Sequence, residues 1–273
     1  MHDREIFEPA IGSGAPLIFL HANSYAPGAY RRLLEPLAEH YTVFPMRLRP
    51  LWHAEPTRDW HVLVEDVNAA LKRRFEEPVF AVGHSLGAVT SLLAAAKSPQ
   101  SFASLALIEP GAPSAGLTWL LRRAPQWVHE GNPIRQAALR RRDRWATRDE
   151  ALADERRRRL HARVSDEVLQ DIVDAGLVEH PQGGVTLRFS KQWEATLYES
   201  PPNVWRALRE SLPPLTLVRG ADSKILSQNA YRRWQRCHPK THGIEVAEGG
   251  HLLPLEHPEV TARIVLDALR SSR

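Results

Sequence analysis

A serine between two glycines, in Gly83-His84-Ser85-Leu86-Gly87, is the stretch of this chain best suited to covalent chemistry. It follows an apolar run, Pro78 to Val82, and leads into a run of small residues, Ala88 to Lys97. A serine on a very tight strand-to-helix turn has an unfavourable backbone, and its neighbours would clash unless they were small, which accounts for the glycines. The turn would present the Ser85 hydroxyl above a sheet, with a helix N-terminus beneath it to stabilise developing negative charge. A chance match on a loop would lack the strand before and the helix after.

A serine hydroxyl is a weak nucleophile until a base takes its proton. With this motif the base is expected near the C-terminal end, after an acid. The stretch Gly249-Gly250-His251-Leu252-Leu253 places a histidine in a glycine-softened loop behind the last short strand, so His251 is read as the base. His257 precedes a proline and a helix start and reads as a cap or surface residue, and His84 reads as a neighbour that packs against or supports the catalytic groups without reacting itself. An oxyanion needs two backbone N–H donors. Leu86, directly after the nucleophile, supplies one; Ala22 or Asn23, after the first strong strand, supplies the other, with His21 holding that loop through its ring nitrogens.

The elements that must carry these groups are legible as short apolar runs alternating with helical patterns. Residues 16–22, 41–46, 78–82, 102–108, 215–219 and 243–246 read as strands, and 30–39, 60–75, 88–97, 228–237 and 258–269 as helices. Strands buried on both faces read as continuous apolar runs, and their alternation with helices predicts a doubly wound, mostly parallel α/β sheet with right-handed crossovers. The alternation stops near Pro110 and resumes near Leu215. Residues 112–202 read as helical, with a hairpin-like break at His180-Pro181-Gln182-Gly183-Gly184. The expected organisation is a core of residues 1–111 and 203–273, with 112–202 as a cap.

His-Ala-Asn after a strand (residues 21–23), Gly-His-Ser-Leu-Gly, Ile108-Glu109-Pro110, Arg219-Gly220-Ala221-Asp222-Ser223 and Gly249-Gly250-His251 together resemble the α/β-hydrolase superfamily over almost the whole chain. More narrowly the chain is similar to capped bacterial serine hydrolases of undefined substrate. The resemblance implies the α/β-hydrolase fold, with a helical cap inserted after the sixth strand, and leaves two candidates for the acid that orients His251. Asp222 follows the strand where most of the superfamily carries the acid, but it arrives one residue early, and Ser223 occupies the expected position. Glu109 ends the strand after the nucleophile, an arrangement similar to that of haloalkane dehalogenases. A glutamate's extra methylene suits the longer reach, which favours Glu109 by a narrow margin. The aspartate-nucleophile branches themselves are excluded by Ser85.

The remainder sets limits. At 273 residues, with 43% hydrophobic and 25% charged residues, the chain suits one large globular unit. No apolar run reaches the roughly 18–20 residues of a membrane span, and the charged N-terminal stretch has no apolar leader, so neither a membrane partner nor secretion is expected. Cys237 is the single cysteine, which fits a reducing cytoplasm. The net charge is +4, but the arginine clusters at 140–144 and 156–159 are interspersed with acids, so no nucleic-acid partner is expected. No zinc spacing or phosphate loop is present, so no metal or cofactor is expected. Trp119, Trp127, Trp145, Trp193 and Trp205 read individually as packing anchors; one or two of them are expected to line a cleft. Cap arginines read mostly as a solvated face.

The expected activity is Ser-His-acid hydrolysis of a carboxylic ester of a small, apolar or aromatic molecule. Carbon–carbon bond hydrolysis, cofactor-free perhydrolysis and a small-molecule receptor on the same fold are the alternatives.

Overall fold

A computed structural model describes residues 6–271. Six strands form one sheet: β1 (Ala15–Leu20), β2 (Tyr41–Met46), β3 (Val79–His84), β4 (Phe102–Ile108), β8 (Leu215–Gly220) and β9 (His242–Val246). Their order is β2-β1-β3-β4-β8-β9, and every adjacent pair is parallel. Period-two alternation sends their side chains to two separate cores. Leu17 and Phe19 join Leu33, Leu37, Val265 and Leu269 on one face. Ile18 and Leu20 join Val67, Leu71, Val89 and Leu92 on the other. Helices α1 (Arg31–Ala38) and α13 (Pro258–Arg270) therefore cover the first face, and α2 (His61–Arg74) and α3 (Leu86–Lys97) cover the second.

The register places Leu20 beside Gly83, His84 beside Ile108, and Ile108 beside Val218. The carboxyl ends of β1, β3, β4 and β8 thus finish at one level, and the loops leaving them share one edge of the sheet, where open α/β sheets bind ligands. Ahead of β1 the described residues pair with β2 through isolated antiparallel bridges at Phe7–Met46 and Ile11–Val43, and the Phe7 ring meets that of Phe44. These described residues add no full strand, so the long insertion follows the fourth of the six strands described, where a sixth was expected.

That insertion runs from β4 to β8. It contains α4 (Ala115–Arg123), α5 (Gln126–Glu130), α6 (Pro133–Arg140), β5 (Arg144–Trp145), α7 (Arg148–Arg157), α8 (Asp166–Gly176), β6 (Leu177–Glu179), β7 (Val185–Leu187), α9 (Lys191–Leu197) and α10 (Val204–Ala207). The break at residues 180–184 is the turn of a β6–β7 hairpin, which β5 extends into a three-stranded antiparallel sheet. Gly184 has φ 76°, and a Cβ there would lie 2.3 Å from the Trp145 carbonyl oxygen, so this turn needs glycine twice over.

The insertion docks on the core through α8. Its Val168, Leu169 and Ile172 pack with Tyr25 and Tyr30, and Asp171 pairs with Arg31 at 2.9 Å and Arg32 at 3.0 Å. After β8 follow α11 (Gln228–Cys237) and, behind β9, the short α12 (Leu253–Glu256). Among the described residues no helix is long and apolar enough to cross a membrane.

Candidate active site

Ser85 sits between β3 and α3 at φ 52° and ψ −110°, a conformation that costs a non-glycine residue about 1–3 kcal/mol. The surroundings hold it there. Its N–H donates to the Ile108 carbonyl at 2.9 Å, and its own carbonyl accepts from Val89 at 3.0 Å. A Cβ on Gly87 would lie 2.1 Å from the Leu20 carbonyl oxygen, and one on Gly83 would lie 2.7 Å from the Ala88 backbone. Both glycines are therefore required by close approach of main chain.

Ser85 Oγ lies 3.0 Å from His251 Nε2, and His251 Nδ1 lies 3.1 Å from Glu109 Oε2. Glu109 is fully buried at the end of β4 with φ 52°. Its other oxygen, Oε1, accepts the Gly220 N–H at 2.8 Å, and Oε2 also accepts the Ser223 hydroxyl. Burying a carboxylate is costly unless hydrogen-bond partners of this kind are supplied.

Asp222 is not brought to His251. The turn closed by Ser223 N–H on the Gly220 carbonyl, at 3.0 Å, brings Ser223 to Glu109 and leaves Asp222 at the cavity rim beside Arg163. Asp222 pairs instead with Arg163 at 2.8 Å, both side chains about half exposed. One residue of displacement turned the carboxylate away.

Of the three expected oxyanion donors, the structure separates one. The Ala22 N–H donates to Tyr30 Oη at 3.2 Å, so it is already engaged. Among the described residues the N–H groups of Leu86 and Asn23 have no acceptor, and both residues line the cavity that Ser85 opens into. His21 holds this loop through both ring nitrogens: Nδ1 donates to the Ala22 carbonyl at 2.8 Å and Nε2 accepts from Leu48 N–H at 3.0 Å. Burial pushes its pKa down to about 4, so the ring is neutral, as that pair of bonds requires.

Sequence reasoning missed Tyr30, while His84 has the supporting place expected of it. Tyr30 Oη, having accepted from Ala22, donates to His84 Nδ1 at 2.7 Å; that leaves His84 Nε2–H to donate to the His251 carbonyl at 2.8 Å. Burial, followed by the nearby His251, holds the His84 pKa well below the ordinary range. Three loops of the site are thus joined by one buried chain of hydrogen bonds. No spacing in the sequence signals it, since Tyr30 and His84 are 54 positions apart.

Above Ser85 lies a cavity of about 1070 Å³, walled by Val89 and Leu252 and, from the insertion, by Leu117, Leu121, Leu197 and Tyr198. The expectation that one or two of five tryptophans line it fails. Trp145, Trp193 and Trp205 are buried packing anchors, Trp119 and Trp127 are exposed, and the tryptophan on the cavity wall is Trp60, from the core. Arg141 reaches the cavity but is held by Glu155 at 2.9 Å and Glu194 at 3.4 Å.

A parallel sheet whose strand ends deliver a strained serine, a histidine and a buried carboxylate to one cavity defines the α/β-hydrolase class of enzyme. The sequence matches the model of the alpha/beta hydrolase family over residues 17–264, and the chain belongs to that family. Among solved structures it is similar to E-2-(acetamidomethylene)succinate hydrolase, with 20% identity, 96% of this chain and 93% of that one covered, and a TM-score of 0.77. It is similar to the thioesterase domain from the curacin biosynthetic pathway, with 19% identity, coverage of 94% and 93%, and a TM-score of 0.74. It is also similar to an esterase from a marine microorganism, with 17% identity, coverage of 96% and 98%, and a TM-score of 0.70. At these identities the likeness is one of fold. No curated protein matches the sequence.

Proposed function

We propose that this protein is a serine hydrolase that cleaves a carboxylic ester of a small, apolar or aromatic molecule through Ser85, His251 and Glu109. The observation that carries this reading is the continuous line from Ser85 Oγ to His251 Nε2 at 3.0 Å and from His251 Nδ1 to Glu109 Oε2 at 3.1 Å. His251 takes the hydroxyl proton as Ser85 attacks the carbonyl carbon, and Glu109 stabilises the imidazolium and fixes its tautomer. The N–H groups of Leu86 and Asn23 receive the oxyanion. The proton then passes from His251 to the leaving alcohol, and water, activated by the same imidazole, releases the acid from Ser85. The insertion acts as a lid whose Leu117, Leu121 and Leu197 supply apolar contact to the substrate.

A fluorophosphonate probe tests the nucleophile: covalent labelling of the wild type and none of Ser85→Ala is expected. An unlabelled wild type is the result of a receptor that only binds, and sinks the hydrolase reading. A panel of esters of graded acyl size, run beside a vinylogous diketone, tests the bond; turnover of the diketone alone would replace ester cleavage with carbon–carbon cleavage. Ser85→Ala should reduce turnover by about 10³-fold or more.

A further inference from the structure

Most of the large apolar side chains left exposed among the described residues gather at one place, the mouth of the Ser85 cavity. Leu117, Ile134, Leu160 and Ile225 line the cavity and are 46%, 55%, 49% and 48% exposed. Just outside the lining, Trp119, Leu120 and Trp127 are 58%, 56% and 72% exposed. Helix α4 accounts for the pattern. Leu117 and Leu121, four apart, share the cavity face. Leu120 and Trp119 turn to solvent, and of the whole helix only Thr118 is buried. So many large apolar side chains left exposed on one short stretch beside a cavity are characteristic of an interaction site.

Around it the unpaired charges are mostly positive. Among the described residues Arg122, Arg159 and Lys224 have no acidic partner, and the Arg123 guanidinium lies over the Trp119 ring at 4.6 Å. The cavity's acids are engaged: Glu194 with Arg141, Asp222 with Arg163, and Glu256 accepting from Gly250 N–H at 2.6 Å. Glu130, at the end of α5, stands as the acidic residue of α4 and α5 against Arg122 and Arg123.

We propose that this face, built on α4 and α5, docks on an anionic lipid surface. Tryptophan and leucine enter the headgroup boundary while arginine and lysine meet its phosphates, the combination that peripheral membrane surfaces use. The face is continuous with the apolar wall leading to Ser85, so an acyl ester held in the lipid passes into the cavity without crossing water. That delivery step rests on the hydrolase reading above; the docking does not. The expectation of no membrane partner came from the length of apolar runs, a criterion for spans that does not register side chains scattered over one surface.

The test is flotation of the full chain with phosphatidylglycerol vesicles and, separately, phosphatidylcholine vesicles. Binding to the former, weakened by salt, is expected. The triple variant Trp119→Ser, Leu120→Ser, Trp127→Ser and the double variant Arg122→Gln, Arg123→Gln should each bind about tenfold more weakly or worse. Neither alters a cavity-lining residue, so both should keep the thermal melt and the turnover of a short soluble ester. Absence of binding by the wild type overturns the proposal, as does binding unchanged in the triple variant. A dimer in solution that the triple variant dissolves, with no vesicle binding, overturns it in favour of a second copy on this face. Vesicle binding by a protein that cleaves no ester upholds docking and sinks the hydrolase reading alone.

Discussion

Ser223 Oγ donates to Glu109 Oε2, the same oxygen that faces His251 Nδ1. The hydroxyl thus supports the carboxylate that reaches His251 from the neighbouring strand, the one proposed above as the acid. Ser223→Ala should lower kcat about tenfold with KM little changed, because a hydrogen bond to a charged group contributes about 1.5–3 kcal/mol. Steady-state kinetics on a soluble ester measures it, and an unaltered kcat would reduce Ser223 to a turn residue.

The two carboxylates should separate sharply. Glu109→Gln keeps the shape but removes the charge, and should reduce kcat by about 10²–10⁴-fold, comparable with loss of the acid in a serine protease triad. Asp222→Asn breaks only a half-exposed ion pair with Arg163, of a kind that contributes about 0–1 kcal/mol. Its kcat should stay within about twofold of wild type. Equal losses in the two variants would refute the assignment of Glu109.

Tyr30→Phe removes the oxygen that links Ala22 N–H to His84 Nδ1 and leaves both buried groups unpaired. Stability should fall by about 1–3 kcal/mol. A purely structural defect would stop there. If the chain of bonds positions the His251 loop, kcat and the rate of fluorophosphonate labelling at Ser85 should fall together while KM holds.

The buried histidines predict an acid-sensitive fold. His21 is pushed down to about 4 and His84 well below the ordinary range, while in the unfolded chain both titrate near 6.5. The unfolded state therefore binds more protons as pH falls from about 6.5 towards 4, and stability present above that window is lost through it, at about 1.4 kcal/mol per pH unit for each ring. Glu8, raised by burial, acts in the opposite sense with a single group. Urea midpoints across this window measure the slope; a flat profile would contradict neutral, buried His21 and His84.

Most of the six strands were readable because burial on both faces leaves apolar runs such as Leu17–Leu20, the exception being the half-exposed edge strand β9, and the elbow because close main-chain approach admits only glycine at 83 and 87. The carboxylate beside His251 was narrowed to Glu109 and Asp222, with Glu109 favoured, and no further. Which of them meets the imidazole depends on the positive φ of Glu109 and on the turn bond from Ser223 to Gly220, neither of which leaves a pattern in residue type. The strands of the small sheet were missed because two or three residues carry no period, although the glycines of their hairpin turn were visible. The tryptophans misled because size alone does not say whether a ring packs inward, as Trp193 does, or faces solvent, as Trp127 does.

The seating of the insertion is lopsided. At one end α8 is bolted to the core by Val168, Leu169, Ile172 and the ion pairs of Asp171; at the other, α4 commits only Thr118 to the interior. Local opening has a free energy set by the contacts it breaks, so the two ends differ in stiffness. Amide protons along 115–130 should exchange with solvent well before those of 166–176. On the lid reading proposed above, the insertion would work as a flap on a fixed stem: a bulky molecule would enter by lifting the α4 end, while the stem continued to brace Tyr30, which packs beside it.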